Sequence, residues 1–377
     1  MTTRQLSVQG ALWRAVRDHY VDAAFRGRDW KAIGSRYQAL IRRGLSDHDF
    51  YAAMKAMVGE LGDAHSYYQS PFEVREEETR LARGVDVVGV GAWLQPIAGE
   101  DHVVVIVVFP GSPAATVGLR PHDAIVRVDR GPVLDRARRP RTLGPEGSRV
   151  TLTVQRPGGP ARDITLRRRR VVGHVPIDAC RISSLRIGYI LIPTFLERTI
   201  PDQLRDALRR LTAEEPLEGL ILDHRVNSGG LGNVATAVMG LFARGLQGHW
   251  ASRTGREPLR LRSEDVGGSQ TVPLAVLVDA ETASFAEIAS GVLRLARRAR
   301  VGGGPTAGNV ERLKAFSFED GSRAWIATEV FQPLGQTAGA WEGVGIRPDF
   351  LVPTRSDRFT EETDPALGRA VEVLRRR

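Results

Sequence analysis

The chain has 377 residues, 42% hydrophobic and 26% charged, which allows a substantial core in more than one domain and excludes a disordered or fibrous class. One cysteine, Cys180, excludes an internal disulfide, and no Cys/His cluster has zinc spacing, so neither a cofactor nor a metal is expected. The net charge of +9 is nearly all arginine, with lysine only at Lys31, Lys55 and Lys314; because the arginines are dispersed apart from short runs at 136–141, 167–170 and 375–377, none interleaved with aromatics, nucleic acid is not an expected partner.

No apolar run reaches the ~18 residues needed to cross a bilayer, so no membrane span is expected. The start, "MTTRQLSVQGALWRAVRDHY", lacks the apolar stretch of a secretory leader, so the expected location is cytoplasmic as written, or exported if a leader was trimmed.

Residues 5 to about 62 show helical periodicity in three stretches, the last starting at the capping candidates Ser46 and Asp47 and stopping at Gly62. A polar stretch, "FEVREEETRLARG", reads as a linker or an exposed helix. From Gly84 to about Arg170, "DVVGVGAWLQPI", "HVVVIVVF", "AIVRVD", "RVTLTVQR" and "DITLRRR" predict short strands separated by Gly, Pro and Asp. From about Arg181 the pattern alternates: strand "RIGYILIPTF", helix "IPDQLRDALRRLTA", strand "LEGLILDHR", then a glycine turn and helix in "NSGGLGNVATAVMGLFA". Strand "VPLAVLVDA" and helix "FAEIASGVLRLARRA" follow, and "DPALGRAVEVLRRR" closes the chain as a helix. Such alternation implies an α/β layer with parallel strands, and the whole chain an α+β multidomain protein. The expected divisions are an N-terminal helical region 1–83, a β-rich module 84–172 and an α/β core 173–377.

Ser284 stands where a buried strand becomes a helix. With Glu287 it fits Ser-x-x-Glu, a capping box in which each side chain satisfies the other's backbone N–H. A serine there can also be a nucleophile if an oxyanion site, a base and a group orienting the base are at hand. The N–H of Phe285 lies at the positive end of the helix dipole, and Gly229 and Gly230 in "DHRVNSGG" can bring bare N–H groups close to a substrate carbonyl. An ordinary strand-to-helix glycine turn explains the same residues.

The chain as a whole resembles the C-terminal processing, or tail-specific, serine peptidases that carry a PDZ domain. The resemblance rests on "ELGDAHSYYQSP", "GVGAWL" with "PGSPAATVGLRPHDAIVRVDRGPV", "IGYILIPTF", "GLILDHRVNSGGLGNVA", "LVDAETASFAEIASG", "GVGIRPDF" and "DPALGRAVEVL", in that order. It implies a ClpP/crotonase-like catalytic core with an inserted PDZ-like module. It also implies an ATP-independent serine endopeptidase that acts on unfolded or C-terminal polypeptide segments through an acyl-enzyme.

In well-known members a lysine in a Thr-x-Gly-Lys-Gly motif activates the serine. Here "GGGPTAGNV" aligns Thr306 and Gly308 but puts Asn309, which has no basic lone pair, where the lysine belongs. Lys314 falls in the strand "VERLKAFSF" and would need a bend to reach Ser284. The lysine-less branch, which includes the tricorn core protease, uses histidine and glutamate, and both positions are filled: His65 in "GDAHS" and Glu342 in "WEGVGIRPD". The resemblance thus implies a Ser284–His65–Glu342 triad with an oxyanion hole from Phe285 and Gly229 or Gly230. His224, beside Asp223 on a buried strand, is a competing base. The PDZ likeness assigns a peptide-carboxylate loop to Gly89, Val90, Gly91 and Ala92. A catalytically inactive peptide- or apolar-ligand-binding protein on the same scaffold is the alternative, with Ser284 then only a helix cap. The oligomeric state is left open.

Overall fold

Residues 2–97, 99–135, 140–182, 185–360 and 362–376 are described by a computed structural model; most of the arginine run at 136–141 lies outside the described residues. The fold is mixed α+β and falls into two compact units, Met1–Ala82 with Leu246–Arg260 and Gly308–Gly345, and Arg83–Gly245 with Leu261–Ala307 and Ile346–Arg377.

In the first unit, helices Thr2–His19, Trp30–Arg42 and Asp47–Gly59 supply most of one core, with Leu12, Val16, Tyr20, Phe50, Met54 and Met57 fully or almost fully buried. Ser46 caps the third helix by accepting the Asp49 N–H at 3.1 Å. "FEVREEETRLARG" forms the helix Pro71–Arg83, whose start is set by Glu73 accepting the Ser70 N–H at 2.8 Å. The long strand Arg323–Pro333 organises an antiparallel sheet, pairing with Tyr67–Gln69, Glu311–Ser317 and Gly245–Ala251. Its Ala324, Ile326 and Ala327 face the helical core.

In the second unit, strands Phe350–Leu351, Ala299–Gly303, Leu274–Val278, Gly219–Asp223, Ile187–Leu191 and Asp178–Arg181 form a sheet in that order, parallel except for the last pair. Every residue of Gly219–Asp223 and Leu274–Val278 is buried, which is why these strands read as unbroken apolar runs. Helices Ile200–Leu211, Gly232–Gly240, Phe285–Leu295 and Pro365–Arg375 occur where the alternation predicts them.

The β-rich segment of this unit is a five-stranded antiparallel sheet, Ala92–Pro96, Val103–Val108, Ala124–Val128, Arg149–Gln155 and Ala161–Arg167, plus the pair Val85–Gly89 and Arg169–Gly173. The run "DVVGVGAWLQPI" is two strands, not one. Gly91, at φ +80°, breaks it, and a Cβ there would lie 2.3 Å from the Ser112 Cβ. Val104, Ile106, Val107 and Ala124 pack on Leu191, joining this segment to the parallel sheet.

A buried ionic cluster locks the end of strand Gly219–Asp223 to the C-terminal helix. Arg225 is paired with both Asp223 and Asp364, Asp364 caps the helix by accepting the Ala366 N–H at 2.8 Å, and the Tyr189 hydroxyl donates to Asp223 at 2.9 Å. Removing one member strands buried charge, so Arg225→Met is expected to cost about 3–5 kcal/mol in urea unfolding. Arg209→Ala, which removes the exposed Arg209–Asp206 pair, is the control and should leave the midpoint unchanged.

Candidate active site

Two neighbouring parallel strands of the second unit, Gly219–Asp223 and Leu274–Val278, end at the same edge and each runs through a short turn into a helix. Carboxyl ends of parallel strands are where α/β sheets bind ligands, because the turns there present side chains and helix N-termini together. Ser284 occupies the last position of the second turn.

The conformation of Ser284 separates it from an ordinary cap. Ser46 and Ser112, which do cap helices, have extended backbones at φ −64°, ψ 161° and φ −74°, ψ 165°. Ser284 has φ +54°, ψ −127°. A non-glycine residue held there stores about 1–3 kcal/mol of strain, which the surroundings must impose. They do so through Glu287, fully buried, which accepts the Ser284 N–H at 3.1 Å. The hydroxyl of Thr306 donates to the same carboxylate and accepts the Ile346 N–H at 2.7 Å. The backbone-to-Glu287 half of the predicted capping box is thus present, and it serves a strained residue.

The two turns are stitched together. Asn227 accepts the Ala283 N–H on its carbonyl at 3.0 Å, donates its amide to the Ile192 carbonyl at 3.0 Å, and takes the Gly229 N–H on its side-chain oxygen at 2.9 Å. The Thr282 hydroxyl donates to the His224 carbonyl at 3.0 Å. Gly229, at φ +91°, lies so close to the second turn that a Cβ would be 2.7 Å from the Ser284 Cβ and 3.0 Å from the Phe285 nitrogen. The structure therefore brings Ser284, Phe285 and Gly229 together. The Gly229 N–H is already given to Asn227, and its neighbour Gly230 has φ +141°.

His224 is fully buried; its Nδ1 is 2.9 Å from the Ser290 hydroxyl, and its ring meets Phe195 edge-on. Since Ser290 donates to the Ala286 carbonyl at 2.8 Å, its oxygen receives the Nδ1 proton. Burial pushes this imidazole down to about 4, so it is a neutral core residue at ordinary pH. On the β-rich segment, the loop Gly89–Ala92 has Val90 buried and the Gly91 carbonyl taken by the Phe109 N–H at 3.1 Å and the Ser112 hydroxyl at 2.9 Å. Beside it lies an apolar cavity of about 220 Å³ lined by Val85, Val87, Trp93, Leu94, Phe109 and Leu143, among others.

In the first unit the structure brings His65 and Glu342 together. Asp63 shapes the turn that presents His65, accepting the His65 and Ser66 N–H groups at 3.1 and 2.6 Å; the Ser66 hydroxyl then receives the Ala327 N–H at 3.1 Å. His65 Nε2 lies 3.7 Å from Glu342 Oε2, which is itself held by the Val310 N–H at 2.9 Å. Burial pushes the imidazole down to about 4; Asp63 raises it and Arg26 lowers it by smaller amounts. A second carboxylate, Glu311, is buried beside Glu342, and its desolvation, with the Glu342 charge next, pushes it up to about 7. The Arg26 guanidinium lies 3.5 Å from Glu311 and 3.7 Å from Glu342. Lys314 is exposed on its strand with its ammonium 5.6 Å from the Phe316 ring centre.

Sequence reasoning missed Asp63, Asn227, Arg26 and Glu311. The first two sit inside motifs already singled out, "GDAHS" and "NSGG", where an Asp or Asn in a turn is a signal for local hydrogen bonding. Arg26 and Glu311, 285 positions apart, carry no such signal.

Residues 186–352 match the family model of peptidase family S41, and residues 10–59 match that of the tricorn protease C1 domain. The chain is 30% identical over 361 residues to "Carboxyl-terminal-processing peptidase 2, chloroplastic" of Arabidopsis thaliana, an alignment taking in 90% of this chain and 67% of that protein. Among solved structures, the photosystem II D1 C-terminal processing protease is similar at TM-score 0.62 and 25% identity over 93% of both chains. The tricorn protease shares the fold at TM-score 0.54 and 19% identity, covering 99% of this chain and 36% of that one.

The contact of Gly229 with Ser284 gives a direct test. Gly229→Ala adds a Cβ into that contact and strains a positive φ, so it should displace the serine. A displacement of about 1 Å is expected to slow phosphonylation of Ser284 by about 100-fold, measured by mass spectrometry with a fluorophosphonate probe.

Proposed function

The chain belongs to peptidase family S41, and with that family to the serine peptidases, and from this premise we propose that it cleaves polypeptides through a Ser284–His65–Glu342 triad. The observation that carries the proposal is the backbone of Ser284, held at φ +54°, ψ −127° at a strand-to-helix turn, a conformation that capping alone does not require. Turns of this kind push a nucleophile clear of the sheet.

In the proposed reaction Ser284 Oγ attacks the scissile carbonyl while His65 takes its proton. The Phe285 and Gly230 N–H groups receive the oxyanion, and losing one such donor typically costs ~3 kcal/mol of barrier. Collapse of the tetrahedral intermediate returns the proton to the leaving amine and leaves an acyl-Ser284, which water hydrolyses by the same steps. With Nε2 turned to Glu342, Nδ1 is the His65 nitrogen for the serine proton, and Glu342 stabilises the imidazolium. Nothing in this sequence of steps consumes ATP.

Residues 84–172 are proposed to act as the PDZ-like module, with Gly89–Ala92 receiving the C-terminal carboxylate of an unfolded polypeptide and the adjoining apolar cavity its last side chain. The parallel sheet is proposed to be a ClpP/crotonase-like core. The relative's name, a carboxyl-terminal-processing peptidase, supports substrates of this class.

Fluorophosphonate should label the wild-type protein at Ser284, not label Ser284→Ala, and label His65→Ala far more slowly. No label on the folded wild type would sink the enzyme reading in favour of a binding protein. The pH profile supplies a second test. His65 must be neutral to act as base, and its imidazole is pushed down to about 4, so kcat/KM should fall as pH drops through about 4 and not through the usual histidine range. An acid limb near pH 6.5, the ordinary histidine value, would show that His65 is not desolvated in the working enzyme.

A further inference from the structure

We propose that His65, Glu311 and Glu342 form a site for a divalent transition-metal ion, zinc by preference, and that the ion switches off the base of the peptidase. The regulatory half rests on the reading of His65 given above; the site itself does not.

Three residues far apart in sequence each offer one ligand atom here, and these atoms lie within 4.8 Å of one another, all in the first unit. An imidazole with two carboxylates is a borderline N/O/O set that suits zinc and leaves a fourth position for water. Zinc–ligand distances of about 2.0–2.2 Å put ligand atoms about 3.5 Å apart, so the three need to close by about 1 Å.

A second feature points to a missing partner. The side chains of His65 and Glu311 are only 4% and 5% exposed. His65 Nε2 and Glu311 Oε2 are both buried and accept or donate no hydrogen bond among the described residues. Buried polar atoms without partners are rare, because each costs its full desolvation, and two in one such group of ligand residues fit a cation between them.

Arg26 is the resident cation. Its side chain is 37% exposed and its contacts with the two glutamates, at 3.5 and 3.7 Å, are long, so it can swing into solvent and yield to a doubly charged ion.

The effect on the base follows from the single proton of a neutral imidazole. An ion on Nε2 puts that proton on Nδ1, and Nδ1 then has no lone pair with which to take a proton from the serine. The ion also withdraws Glu342 from its orienting role. Release of the ion restores both.

The test is calorimetric titration of the chelator-treated, full chain with zinc chloride, alongside fluorophosphonate labelling at each zinc level. One equivalent should bind with micromolar or tighter Kd, and Glu311→Gln should weaken binding by about 10-fold or more, as loss of a ligand does. Arg26→Gly, which suits the φ of +53° at that position, should tighten binding by removing the competing cation. Unchanged affinity in both variants would place the zinc elsewhere and overturn the site. Binding that responds to both variants while leaving Ser284 labelling unaffected would keep the site and overturn the switch, together with the role of His65 as base.

Discussion

The second unit depends on the contact between two turns at the carboxyl edge of its parallel sheet. Gly229 approaches Ser284 more closely than any side chain allows, and Asn227 fastens the turns by bonding to Ala283, Ile192 and Gly229 at once. Neither turn is stable in this shape alone, since each contains a non-glycine residue at positive φ, Val226 at 64° and Ser284 at 54°. Their strain is balanced by buried hydrogen bonds, worth more than surface ones because leaving their donors unmet in a dry interior is costly. The sheet beneath supplies rigidity, as both strands are buried along their whole length.

Burial also decides how the titratable groups behave. His65 and His224 are held neutral by desolvation, yet with different consequences. His224 spends its Nδ1 on Ser290 inside the core, so it stiffens the strand-to-helix junction. His65 sits on an Asp63 turn and faces the carboxylates of Glu311 and Glu342, and its Nε2 makes no hydrogen bond among the described residues. Arg225 shows the opposite case: a buried charge that survives because two aspartates surround it, tying the strand end to the C-terminal helix.

The carboxylates around His65 follow the same logic with less compensation. Desolvation first, and then the charge of Glu342 beside it, drives Glu311 toward its protonated form. Arg26 offsets part of that charge from a turn where both Phe25 and Arg26 adopt positive φ.

Much was legible in the sequence. His65 and Glu342 were named only by the family resemblance, whereas the period of apolar residues placed the helices and the buried strands, and the strand-to-helix junction drew attention to Ser284. Local rules suffice there, since helix caps, glycine turns and unbroken apolar runs are set by neighbouring residues. Composition and periodicity did not reveal that strands from 246–260 and 308–345 join the N-terminal helices, because antiparallel pairing across hundreds of residues leaves no local trace. Nor could they show that the Gly229 N–H is already occupied, or that Arg26 and Glu311 meet. Those outcomes depend on desolvation and close approach between distant segments, and only the folded chain brings these about.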